Sequence, residues 1–111
     1  MSERNVAPKL RFSELSPPRQ ALIRQCQRMD FGRILSLEVR NGEPVLGPAT
    51  AVLLDVKLDS AETSRPEHNP VDFVVCGAIV RLLATLDAIG NGSVEHVEVR
   101  AGIPVRMIFK A

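Results

Sequence analysis

Two glutamates and the arginines beside them are the residues whose type and spacing first invite a chemical reading. Glu38-Val39-Arg40 and Glu98-Val99-Arg100 are the same tripeptide, sixty positions apart. A pair of carboxylates held together can divide acid and base work, one neutral and donating, the other charged and accepting. On a wet strand face the same residues form cross-strand or diagonal ion pairs with Arg40, Arg100 or Arg106. Such exposed pairs are common and require no function, and that plainer account is preferred here.

The remaining reactive side chains give no catalytic pattern. His68 falls in a polar loop and His96 on an outward strand face, and neither has a nucleophile or orienting partner in reach of its sequence neighbours. Cys26 and Cys76 lack a CxxC partner or a histidine at metal-ligand spacing. They read as small buried hydrophobes of a reducing compartment. There is no Gly-rich phosphate loop, no Gly-x-Ser-x-Gly and no His-Glu-x-x-His. The expectation is a non-enzymatic chain with no catalytic residue, no metal and no cofactor.

Binding is the other possibility, and arginine is the residue to follow. Residues 1–40 hold eight Lys/Arg against four Asp/Glu, whereas 41–111 hold six against nine. Arg24, Arg28 and Arg33, with the basic lead-in, can track a phosphate backbone. A second strip, on the outer strand faces, comprises Arg40, His96, Arg100 and Arg106 beside the two glutamates and Lys110. These seven, Arg24, Arg28, Arg33, Arg40, His96, Arg100 and Arg106, form the candidate binding set. Nucleic acid is possible as a ligand but not favoured. Net charge is only +1, Trp and Tyr are absent, and no helix-turn-helix is recognisable.

What positions these residues is a duplicated pattern. Gly32, Ile34, Glu38-Val39-Arg40, Gly42 and Pro44-Val45 recur without a gap as Gly92, Val94, Glu98-Val99-Arg100, Gly102 and Pro104-Val105. Upstream, Leu22 and Ile23 match Leu82 and Leu83, so the unit reads as helix, glycine connection, strand, turn, strand. An internal duplication is expected. For the second hairpin, a three-residue loop Arg100-Ala101-Gly102 pairs Val99 with Ile103 and Val97 with Val105. It leaves one apolar face, with Ile108 as the exception on the other. In the first hairpin Leu35, Leu37, Val39 and Val45 share the inner face, with Ser36, Glu38, Arg40 and Pro44 outside. Both prolines should lie at a sheet edge or beside a bulge.

The layout follows. Residues 1–15 form a basic extended lead-in. A single domain covers 16–111, with repeats 16–58 and 69–111 joined by the polar loop 59–68. Ser16-Pro17-Pro18 starts a helix over about 17–29. Residues 51–58 alternate as a strand that is either separate or an extension of the previous one. Asn69-Pro70-Val71-Asp72 predicts a second helix over about 71–89. That helix is apolar nearly all round, which predicts a homodimer with this helix in the interface, and leaves a protein partner open. The apolar run Phe73 to Val80 is too short to span a bilayer, and no signal peptide is apparent, so the expected location is cytoplasmic with no membrane partner.

Gly92-Ser93-Val94, Val97, Val99, Gly102 and Val105 resemble the small bacterial YezD-like proteins, which are a helix followed by a Gly-containing hairpin. Gly32, Ile34, Val39, Gly42 and Val45 resemble them again. The resemblance implies that fold and a bacterial origin, and no activity. This chain departs from it in carrying two copies and a proline after each turn. The overall expectation is an α+β domain of the form αββαββ, with an antiparallel sheet of four or five strands and two helices on one face. The leading function is a non-enzymatic, dimeric interaction or accessory module. A nucleic-acid-binding regulator using the basic N-terminal half stands second and a small enzyme with a site between the repeats third.

Overall fold

The computed structural model describes residues 10–56, 58 and 72–110. Loop 59–68, with His68, and the proposed helix start at 69–71 lie outside them. Helix α1 spans Pro17–Met29. The Ser16 hydroxyl accepts the Arg19 N–H at 3.4 Å and two prolines occupy the first turn, where no amide partner is lost. Strands β1 (Gly32–Arg40), β2 (Glu43–Val45) and β3 (Ala51–Leu54) follow, then helix α2 (Gly77–Ile89) and strands β4 (Gly92–Arg100) and β5 (Ile103–Phe109). The five strands form one antiparallel sheet in the order β2-β1-β4-β5, with β3 also paired to β1. Both helices cover one face, closing a core of Leu22, Ile23 and Cys26 from α1, Leu83 and Leu86 from α2, and Ile34, Leu37, Val94 and Val97 from the sheet. This is the α+β architecture expected. Among the described residues no helix is long and apolar enough to cross a membrane.

Both hairpins turn on two residues, which corrects the three-residue loop. Asn41 and Gly42 have φ of 51° and 75°, Ala101 and Gly102 of 52° and 77°. Two successive positive φ values define a type I′ turn, whose twist matches that of the flanking strands. Arg100 therefore pairs with Ile103 and Val99 with Pro104. Continued unbroken, that register would set Val105 against Glu98. A bulge prevents it: the register shifts at Glu98/Val99, so Arg106 meets Glu98 and Met107 meets Val97. Consequently Pro104 and Pro44 face inward and are buried, opposite Val99 and Val39, and Val105 is half exposed. Both prolines sit on the outer strands of the main path, where a missing N–H costs no ladder bond.

A second correction concerns the sheet centre. Ile34 and Leu37 are both fully buried, as are Val94 and Val97, and they pair Ile34↔Val97 and Leu37↔Val94. Strict alternation cannot do this. Ser36 adopts φ 58° and β4 shifts register against β5 between Val94 and His96, so the phase changes at both places. Leu35 is thereby turned to the outer face, opposite His96.

Each turn also clasps the end of a helix. The Gly42 N–H donates to the Gly90 carbonyl and the Gly102 N–H to the Asp30 carbonyl, both at 2.8 Å. Asp30 (φ 67°) and Gly90 (φ 70°) occupy γ-turn-like corners, closed by Phe31 N–H to Met29 O and Asn91 N–H to Ile89 O. Arg19 ties the same region together, donating to the Gly42 carbonyl and pairing with Asp87 and Glu43.

The second helix begins later than its sequence suggests. Asp72 does not open a helical turn. Its carboxylate accepts from Arg11 Nε and Ser13 N–H, both at 2.8 Å, and from Ser13 Oγ. Phe12 N–H bonds the Phe73 carbonyl and Val75 N–H the Leu10 carbonyl, so 72–75 lie along the lead-in and α2 starts at Gly77 after Cys76. Residues 10–15 thereby join the core through Phe12 and Leu15. The Phe12 and Phe73 rings stack at 5.0 Å. With Phe73, Val74 and Val75 outside the helix, Val80 is the large apolar side chain that α2 exposes.

Two expected results follow from this packing. The Arg11 guanidinium, foremost, and the Ser13 N–H hold the Asp72 carboxyl well below its usual range, at about 2. A carboxyl with a depressed folded pKa contributes its full stability above the unfolded value and loses it as pH falls through the folded one. The stability gap between wild type and Asp72→Asn, measured by urea unfolding, should be constant above about pH 4 and close as pH falls toward 2. The cysteines also differ. Cys26 is buried, and burial pushes its thiol up to about 12, whereas Cys76 is exposed, against the expectation that both are core residues. A thiol reagent should label Cys76 alone in the native protein and Cys26 only on unfolding.

Candidate functional site

Among the described residues no element covers the sheet face opposite the helices, and its strand register places the charged residues in rows. One row runs Leu53, Arg33, Glu98, Arg106 across β3, β1, β4 and β5. The next runs Ala51, Leu35, His96, Ile108, and a third holds Val45, Glu38 and Ser93. Charge therefore flanks a central stripe in which Leu35 and His96 are half-buried and Ile108 is exposed.

The glutamates act as counter-ions on this face. Arg40 Nη2 stands 2.9 Å from Glu38 Oε2, Arg100 Nε 3.4 Å from Glu98 Oε2, and Arg106 Nη1 4.0 Å from Glu98 Oε1. The three arginine side chains stay about two-thirds exposed (66–68%). Exposed pairs of this kind are worth roughly 0–1 kcal/mol, so a partner's acid can displace them at little cost. Glu98 lies opposite Arg33, five residues from Glu38 along β1. At about 3.3 Å per residue that is roughly 17 Å, beyond the ~5–10 Å at which two carboxylates share a reaction. The carboxylate-pair reading therefore has no geometry to support it.

Five of the seven candidate residues lie on this face without forming one cluster: Arg33, Arg100 and Arg106 toward one end, His96 in the middle row, and Arg40 at the other end. Arg24 and Arg28 belong to α1, in the layer behind. Arg24 lies over the Phe12 ring at 4.2 Å from its centroid and donates to Gln27 at 2.9 Å, while Arg28 donates to Gln25 at 2.8 Å. Arg24 thus pins the lead-in to α1. The described arginines of the basic front half divide between separate surfaces.

Sequence reasoning missed Leu35 and Leu53 as members of the open face. The displacement of Leu35 by the kink at Ser36 leaves no signal in an apolar run such as Ile34-Leu35. Ile108 is the visible clue, an apolar residue at a polar phase. No family model, no curated protein and no solved structure matches this chain.

Proposed function

We propose that the protein is a non-enzymatic interaction module, homodimeric, whose working surface for a protein partner is the uncovered sheet face. The carrying observation is the composition of that face: Arg33, Arg40, Arg100 and Arg106 against Glu38 and Glu98, around Leu35, His96 and Ile108. Arginine beside accessible apolar side chains is the mixture that protein interfaces favour. Photo-crosslinkers at Leu35 and Ile108 should capture a discrete partner protein, whereas one at Val80, on the far side of α2, should not. Equal capture from all three positions, or none, overturns the reading.

A second reading is favoured by the same excess of four arginines over two glutamates: a nucleic-acid-binding regulator using the sheet face. Random duplex DNA at low salt should then bind with a steep salt dependence, lost in Arg40→Glu/Arg100→Glu. Absence of binding at low salt removes it. An internal duplication is part of the proposal, supported by the reciprocal clasps Gly42–Gly90 and Gly102–Asp30, which exchange under the sixty-residue shift.

A further inference from the structure

We infer that β3 is the seam of the homodimer: Ala51–Leu54 of one copy pairs antiparallel with the same strand of a second copy about a twofold axis. This rests on the homodimer proposed above and names its interface.

The first ground is how each sheet edge is treated. An outer strand exposes unpaired N–H and C=O groups, and proteins blunt such edges with proline, charge, bulges or brevity. Strand β2 has three residues and Pro44 at its centre. Strand β5 carries Pro104, the bulge at Val105, and Arg106. Strand β3 reads Ala-Val-Leu-Leu and has none of these protections apart from its short length, yet all four residues are exposed.

The second ground is the apolar surface gathered there. Val52, Leu53 and Leu54 are 40%, 46% and 62% exposed, and Phe31, Leu46 and Val56 beside them 44%, 40% and 68%. Covering these six side chains removes on the order of 500 Å² per copy, before backbone and flanking polar residues are added, against about 800 Å² per partner in a standard interface. Nearly half of the exposed large hydrophobics of the described residues lie on this one edge.

The third ground is what the alternatives cost. Pairing β5 with itself brings Arg106 toward its own copy, and like charges facing each other across strands destabilise. Pairing β3 with β5 of another copy is head-to-tail and leaves an edge free at each end, which builds filaments. Pairing β3 with itself opposes no charges and closes. The strand is also held ready: Asp55 N–H donates to the Phe31 carbonyl at 2.9 Å, and Thr50 Oγ1 to the Ser36 carbonyl at 3.1 Å.

Sedimentation equilibrium decides it. The wild type should be a dimer at micromolar concentration. Leu53→Glu should weaken dimerisation at least 100-fold: the new carboxylate faces Arg33 within its own chain but meets its copy across the axis. Val80→Glu and Val105→Glu should leave the dimer intact. If Leu53→Glu stays dimeric, the seam is elsewhere and the dimer stands. A wild type that is monomeric at high micromolar concentration removes both, and filaments overturn the closed pairing. Should Leu53→Glu fail to fold, Leu53→Cys in a Cys76→Ser background replaces it. A short bis-maleimide should then link two copies, and failure to link them overturns the seam.

Discussion

Gly32→Ala should destabilise the protein by about 3 kcal/mol, the upper range for forcing extra atoms into a packed site, whereas Gly92→Ala should cost less than about 1 kcal/mol. The two glycines hold the same place in the repeated motif, and their surroundings differ. A Cβ on Gly32 collides with the Leu53 carbonyl oxygen and comes within 2.9 Å of Met29 Cε. The first obstacle is backbone, so either β1 or β3 must move. A Cβ on Gly92 meets only Ile89 Cγ2, at 3.4 Å. The difference arises because β3 presses on β1 beside Gly32. Thermal unfolding of the two variants measures it directly. In a domain whose whole stability is of order 5–15 kcal/mol, the Gly32 variant should melt many degrees lower. Equal losses at the two positions would mean that the approach of β3 is not the reason for glycine at 32. The same variant should loosen the edge on which the proposed dimer forms.

Leu86→Ala should cost about 3–5 kcal/mol and Val80→Ala under about 1 kcal/mol, because only the first opens a core cavity. Leu86 is fully buried between α2 and the sheet, and Val80 is 43% exposed on the outer side of the same helix. Alanine is the better helix former at the exposed position, which offsets part of the apolar burial that the smaller side chain gives up. Denaturant unfolding with unchanged m-values would establish both figures. A large loss at Val80 in the assembled protein, absent in a monomeric variant, would restore the outer side of α2 to the interface that its composition first suggested.

Much of this architecture is local in origin, and local signals are the ones a sequence carries openly. Ser16-Pro17-Pro18 and the Leu22-Cys26-Met29 line mark α1 at Pro17–Met29 by signals that lie within the segment itself. The chain can be read as two helices and hairpins around Gly42 and Gly102, with prolines on edge strands, because turn chemistry, alternation and the proline N–H act over a few residues. The candidate arginines of β1, β4 and β5 are legible for the same reason: once a strand is assigned, its outward positions follow.

Other features depend on partners distant in sequence. Asp72 is as good a helix-starting residue as any by its neighbours, but Arg11 and Ser13, some sixty positions away, claim its carboxylate and delay α2 to Gly77. That delay removes Phe73, Val74 and Val75 from the helix and leaves Cys76 exposed. The turn lengths escape a sequence reading because a bulge at Val105 reconciles a two-residue turn with an apolar inner face, and a bulge has no composition of its own. Sequence alone determined that there are two helices and two hairpins, in what order, and which side chains carry charge. Tertiary structure alone decided where alternation breaks, where α2 begins and, among the described residues, which sheet edge carries exposed apolar side chains. Those outcomes are fixed by contacts between residues far apart along the chain, strand order and register among them.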